Sequence, residues 1–377
     1  MMGLADTGPR PGSRWTNPQP SGGDDDLRQI RGFGFNPGGL EMLAYLPKDL
    51  APGAALVVVL HGCTQTAAGH ARAAGWLELA DRHGFAILAP GQTSANNPNR
   101  CFNWFEPGDN ARGYGEPASI HAMVQHMLRT YQLDPECVFV TGLSAGGAMA
   151  AVLLAAYPET FAAGAVVAGL PFGVASNVQE AFAAMRGGSR LGGRDLGDRV
   201  GRAAPESARK PRLAIWHGEA DSTVSSANAR TLARQWTAVH GLAEQPDEVR
   251  RRGGWTRSVW RGAGDEPLVE LNLLAGLGHG APLAAGGEDP IGETAPFMLE
   301  AGVSSALEIA RFWGLAPQAA DTPAEAAPWL SPRPPRKPSR PAEAPLGEKV
   351  IAALSPHVSE EIQRVVAKAL ASAGLMG

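Results

Sequence analysis

A doubly wound α/β fold, a mostly parallel sheet with helices on both faces, is predicted by three features of the sequence. Short apolar, β-branched runs such as LVVVL (56–60) read as strands buried on both faces. These runs alternate with segments of helical spacing along most of the chain, the pattern of a layered parallel sheet. One junction, VFVTGLSAGGAMA (138–150), passes from apolar strand to Ala-rich helix through a tight Gly-rich turn. Sites in such sheets lie at the carboxyl ends of strands.

The elements follow in chain order. Leu40, Met42 and Tyr45, between Gly39 and Pro47, read as an early strand, and 56–60 as the next. A helix is predicted over 71–83 with Gly84 as its stop, then a strand over 85–89 ending at Pro90. Residues 119–131 form a further helix, 138–141 a strand, and 145–157 a helix halted by Pro158. Strands are expected at 161–168, 213–216 and 268–274, and a closing helix at 304–312.

Of 377 residues, 47 are Gly and 31 Pro, and their uneven spread predicts the layout. Residues 1–34, polar and Gly/Pro-rich, read as a flexible arm, and 35–315 as one catalytic domain. Within it, 173–212 is a Gly/Arg-rich excursion suited to a cap or lid. Prolines from Pro317 to Pro345 make 316–346 an extended linker. In 347–377, Ser355–Pro356 opens a helix whose apolar face carries Val358, Ile362, Val365, Val366 and Leu370.

Hydrophobic residues make up 44% of the chain, which excludes wholesale disorder. A net charge of −4 provides no basic field for a nucleic-acid backbone, so no nucleic-acid partner is expected. The apolar runs 148–157 and 161–170 are divided by Pro158 and Glu159, and neither reaches the roughly 18 residues of a membrane span. The opening residues MMGLADTGPRPGSRW lack the features of a secretory signal, so export has no direct support in them. Cys63, Cys101 and Cys137 contain no CxxC pair and leave room for one disulfide plus one free thiol.

The chemistry starts at Gly142-Leu143-Ser144-Ala145-Gly146. GxSxG is weak in a Gly-rich chain, but here a strand precedes it and a helix follows, the context of a nucleophile elbow. The turn is so sharp that residues flanking Ser144 must be small, and it leaves the hydroxyl at a helix N-terminus. A serine hydroxyl is a poor nucleophile at neutral pH and needs a histidine base oriented by an acid. The acid should follow a later strand. The segment 213–216 leads into His217-Gly218-Glu219-Ala220-Asp221, and Asp221 is favoured over Glu219 because a few residues past the strand end return the carboxylate toward the base. His279, in the glycine-rich loop 275–280 after the last strand, is the expected base. His70, His83, His121 and His126 lie on helices before the nucleophile, and His61 and His217 stand beside the wrong positions. The oxyanion hole is expected from the N–H of Ala145 and from the loop after 56–60, most simply the N–H of Cys63. No histidine pair has HxxxH spacing with a nearby Glu, so no metal site is expected, and this chemistry requires no cofactor.

With these residues, the chain resembles the polyhydroxybutyrate depolymerase family of α/β-hydrolase esterases, related to feruloyl and acetylxylan esterases. The resemblance spans roughly 35–315 and rests on LVVVLHGCTQTA (56–67), CFNWF (101–105), RGYGEPASI (112–120), VFVTGLSAGGAMA, WHGEADSTV (216–224), GLGHGAPL (276–283) and FWGL (312–315). By position, Ser144, Asp221 and His279 match the family triad and Cys63 the oxyanion residue. The resemblance also implies a Cys63–Cys101 disulfide near the hole, a polyester or small-ester substrate and an extracellular setting. Trp104, in CFNWF, is a candidate apolar wall for the acyl chain, with simple core packing as the alternative. Two readings compete with a 3-hydroxyalkanoate esterase: a feruloyl or acetylxylan esterase, and a polyester-granule binding protein anchored by the tail helix.

Overall fold

The computed structural model describes residues 27–187, 189, 191–204, 209–286 and 290–318. The expected linker from 319 onward, the tail helix and the arm up to residue 26 lie outside the described residues. The elements run β1 (Arg28–Ile30), β2 (Glu41–Tyr45), β3 (Leu56–Leu60), α1 (Ala67–Ala73), α2 (Trp76–His83), β4 (Ala86–Gly91), α3 (Gly115–Tyr131), β5 (Val138–Leu143), α4 (Ala145–Ala156) and β6 (Ala163–Val167). There follow α5 (Val178–Gly187), α6 (Gly193–Ala203), β7 (Arg212–Gly218), α7 (Ala227–His240), β8 (Glu248–Arg252), β9 (Trp255–Arg261), β10 (Pro267–Leu274), β11 (Ala281–Leu283), β12 (Met298–Glu300) and α8 (Ser305–Trp313).

Ten strands form one sheet in the order β1-β2-β4-β3-β5-β6-β7-β10-β9-β8. The six strands from β4 to β10 are parallel, and the antiparallel pairs lie toward the two ends. β3 shows why its residues are wholly apolar. Leu56, Val58 and Leu60 join one core with side chains of α3, α4 and α7, while Val57 and Val59 join another with α1, α2 and α8. A strand with a hydrophobic layer on each face has no polar side to alternate.

The structure adds detail to the expected elements and departs from some of them. The sheet begins within the segment expected as a flexible arm, because Arg28 pairs with Ala44 and Ile30 with Met42. The single helix expected over 71–83 is two: α1 starts earlier, capped by the Thr66 hydroxyl accepting from Gly69 N–H, and Gly75 at φ 83° interrupts the run before α2. The hairpin β8–β9 is an addition. Its strands, EVRRR and WTRSVWR, are too polar to read as buried runs, although Gly253-Gly254 between them is a hairpin turn signal. The excursion 173–212 carries α5 and α6, which pack against α7, with α6 also against α4. Leu196 and Val200 of α6 are buried. Met185 O at the end of α5 accepts from Ser225 N–H at 2.7 Å. The Asn228 amide donates to Ala184 O at 2.9 Å. The excursion thus braces the loop that follows β7. Among the described residues, no helix is long and apolar enough to cross a membrane.

Candidate active site

Ser144 lies between the end of β5 and the start of α4 at φ 57°, ψ −116°, a backbone state that costs a non-glycine residue about 1–3 kcal/mol. The turn closes because its neighbours lack side chains. A Cβ on Gly146 would stand 2.4 Å from Leu60 O and 2.5 Å from His61 O, and one on Gly142 would stand 2.3 Å from the Gly146 carbonyl carbon. All of these are backbone atoms that cannot yield cheaply.

Two neighbouring strand ends bring the partners. β7 and β10 pair in parallel with Gly218 opposite Leu274, so the loops leaving them start side by side. They pack so closely that a Cβ on Gly218 would come 2.2 Å from Leu277 O. Asp221 hangs from the first loop and His279 from the second. His279 Nδ1 is 2.7 Å from Asp221 Oδ2, and His279 Nε2 is 3.0 Å from Ser144 Oγ. An ionised carboxylate only accepts, so Nδ1 carries the proton and Nε2 is left to accept from the serine hydroxyl.

Burial works to raise the Asp221 carboxyl, but hydrogen bonds from His217, His279 and the Val224 N–H prevail and hold it well below the usual carboxylate range. Asp221 Oδ1 accepts from the N–H groups of Thr223 and Val224, each at 2.8 Å. Oδ2 has His217 Nε2 at 3.3 Å as well as His279. His217 Nε2 is also 2.8 Å from Val224 O, and because a carbonyl must accept, this nitrogen bears the proton. His217, which sequence reasoning set aside, is therefore a donor on the back of the same carboxylate. Its position four residues before Asp221, at the end of β7, was the available signal.

Near Ser144, Ala145 is the first residue of α4, and its N–H has no intrahelical acceptor. In the facing loop Gly62 N–H is committed to Gln65 Oε1 at 2.8 Å and Thr64 N–H to Asn99 O at 2.7 Å. His61 braces this loop. It donates through Nδ1 to Gly62 O at 2.8 Å and accepts through Nε2 from Gln92 N–H at 3.0 Å. Burial, opposed by the bond to Gly62, lowers its pKa and favours this neutral form.

A buried polar chain continues from Gln92. Its amide donates to Glu116 Oε1 at 2.5 Å and to Cys101 O at 3.2 Å. Glu116 further accepts from Asn103 N–H and the Asn103 amide, each at 2.9 Å. Burial and the neighbouring Asp109 push the Glu116 carboxyl up to about 8 against the pull of those donors. Glu116 thus ties the RGYGEPASI helix to the CFNWF loop, a role that no spacing in the sequence announced.

Cys63 and Cys101 are joined as a disulfide across a sequence separation of 38, leaving Cys137 as the free thiol among the described residues. Thiol titration of denatured, unreduced protein is expected to find one reactive thiol. Cys101→Ser is expected to lower unfolding free energy by about 4 kcal/mol, the chain-entropy value for a loop closed across a separation of 38; an unchanged denaturation midpoint would overturn it. Trp104 is only 6% exposed and packs edge-on to Phe105 within the core on that face of the sheet.

Residues 40–260 match the family described as Esterase PHB depolymerase. A poly(3-hydroxyalkanoate) depolymerase C of Paucimonas lemoignei is 42% identical over 291 residues, covering 77% of this chain and 70% of the relative. The chain belongs to this esterase family. It is accordingly a carboxylic ester hydrolase of the α/β-hydrolase type. An acetylxylan esterase of Coprinopsis cinerea is 35% identical, covering 68% of this chain and 69% of the relative. An acetyl xylan esterase from Aspergillus awamori shares the fold, with TM-score 0.65 and 24% identity over 77% of this chain and 99% of that one. The family match takes in Ser144 and Asp221 and ends before His279, whose place rests on the geometry above.

Proposed function

We propose that the protein is a serine esterase that cleaves poly(3-hydroxyalkanoate) chains and their oligomers through Ser144, His279 and Asp221. The observation that carries the chemistry is the unbroken hydrogen-bond line Asp221–His279–Ser144 at 2.7 and 3.0 Å beneath a helix N-terminus. Ser144 Oγ attacks the ester carbonyl as His279 Nε2 takes its proton. Asp221 stabilises the imidazolium by charge and by accepting from Nδ1. The N–H groups of Ala145 and Cys63 receive the oxyanion, where loss of one donor costs on the order of 10²–10³ in kcat. As the tetrahedral intermediate collapses, His279 returns the proton to the departing alkoxide and the acyl group stays on Ser144. Water, deprotonated by the same nitrogen, then cleaves the acyl-enzyme and frees the acid.

The substrate class follows the 42% identical depolymerase, while similarity to acetylxylan and feruloyl esterases supports a second reading. A substrate panel separates them. Amorphous poly(3-hydroxybutyrate), soluble 3-hydroxybutyrate oligomers, acetylated xylan and methyl ferulate are each offered to the enzyme and products are counted by chromatography. Release of hydroxybutyrate monomers and short oligomers is expected at rates at least tenfold above release of acetate or ferulate, roughly the discrimination a few apolar contacts provide. Preferential release of ferulate or acetate would overturn the assignment.

A further inference from the structure

Phe297 combines three properties that ordinary packing does not explain. It is 39% exposed, although large apolar side chains are usually buried. Its backbone stands at φ 66°, where a bulky residue is an outlier. Its ring meets the His279 ring edge to face, centroids 6.0 Å apart at 77°. The segment is a tight turn in which Met298 N–H donates to Ala295 O at 2.9 Å, with Pro296 and Phe297 at its centre. After a proline at the second position, a positive φ at the third normally calls for glycine or asparagine. An exposed ring does not repay that strain by burial. Backbone strain of this kind gathers at functional sites when the surroundings hold it in place.

The surroundings do hold it. Phe297 O accepts from Ala281 N–H at 2.8 Å, two residues past His279. The preceding Pro296 O accepts from the Gln65 amide at 3.3 Å, and Gln65 Oε1 accepts from Gly62 N–H in the oxyanion loop. The turn is therefore clamped to both the base loop and the oxyanion loop.

We infer that Phe297 is a specificity-determining residue, forming the apolar wall of the subsite that receives the alcohol portion of the ester. The inference rests on the serine-esterase reading above. Because His279 Nε2 must hand its proton to the ester's alcohol oxygen, that oxygen and the carbon chain attached to it lie on the His279 side of the carbonyl. A ring packed against His279 borders that chain and not the acyl chain. In a polyester the alcohol portion is the next monomer, whose alkyl groups offer apolar surface to such a wall.

The test is a set of simple alkyl esters in a pH-stat assay, so it does not depend on any polymer being a substrate. In Phe297→Gly and Phe297→Ser, the ratio of kcat/KM for butyl butyrate over methyl butyrate is expected to fall about fivefold to tenfold, the worth of three methylenes losing one of their walls. The ratio for methyl butyrate over methyl acetate, which varies the acyl chain, is expected to move by less than about twofold. Phe297→Leu, which keeps apolar bulk, is expected to hold the alcohol ratio within about twofold of wild type. The thermal midpoint of Phe297→Gly is expected to be no lower than that of Phe297→Ser, since glycine adopts the positive φ without a Cβ. An unchanged alcohol ratio in both the Gly and Ser variants, or an equal fall in the acyl ratio, overturns the inference. Failure of the wild-type enzyme to hydrolyse any alkyl ester overturns the serine-esterase reading instead.

Discussion

Ser144→Ala is expected to lower kcat for p-nitrophenyl butyrate on the order of 10⁶-fold, with KM nearly unchanged. Removing one oxygen leaves the fold intact, because Ser144 holds its place through backbone contacts. Its N–H donates to Val167 O, and its carbonyl accepts from Ala148 N–H, each at 2.9 Å. The alanine Cβ occupies the space of the serine Cβ, so the elbow at φ 57° bears the same strain. What disappears is the hydroxyl oxygen 3.0 Å from His279 Nε2, the proposed attacking atom. The remaining acceleration comes from the oxyanion donors and from substrate positioning, worth on the order of 10³–10⁴ over water in serine hydrolases. Turnover by the variant near the wild-type rate would refute the whole mechanism.

Asp221→Asn is expected to lower kcat on the order of 10⁴-fold, and the reason lies in its hydrogen bonds. Oδ1 accepts from two backbone N–H groups, while Oδ2 faces His279 Nδ1 and His217 Nε2. An asparagine has one acceptor and one donor for these two places. Its oxygen is drawn to the fixed N–H groups of Thr223 and Val224, so its NH₂ faces His279. Nδ1 must then accept, the proton moves to Nε2, and Nε2 donates toward Ser144 Oγ in place of accepting from it. The base is lost through its tautomer with little movement of atoms, the pattern known for the analogous change in a serine protease. The check is steady-state kinetics beside a thermal melt, with kcat collapsing while the midpoint shifts by only a few degrees. A loss below about tenfold would show that Asp221 does not set the tautomer.

Much of this site was legible in the chain. Ser144 announced itself because an elbow requires small residues at fixed offsets between a strand and a helix. Asp221 and His279 could be singled out because the proposed chemistry calls for an acid and a base just past later strands, both strands were apolar enough to recognise, and the fold brings the two side chains within 2.7 Å. His217 was not found. Its value depends on a loop that curls back over it so that its Nε2 meets both Val224 O and Asp221 Oδ2, and spacing reports neither distance. The β8–β9 hairpin escaped because the edge strand β8 buries none of its residues and β9 beside it buries only Val259 and Trp260, so arginines, Thr256 and Ser258 interrupt the apolar run that marks a central strand. Trp104 shows what spacing leaves open: an aromatic beside a site-forming cysteine reads equally as a wall or as core, and its 6% exposure depends on neighbours distant in the chain.

Local chemistry thus determined the alternation of strand and helix, the nucleophile turn, and the residue types able to complete a triad, because these depend on side chains a few positions apart. Folding in three dimensions decided which carboxylate oxygen meets which histidine nitrogen, that Glu116 anchors the CFNWF loop, and that a strained phenylalanine stands against the base. Those relations join residues brought together by parallel pairing of distant strands, with Ser144 and His279 separated by 135 positions. Hydrogen bonds and ring contacts fall off within an ångström or two, a precision that emerges when the sheet sets the loops side by side.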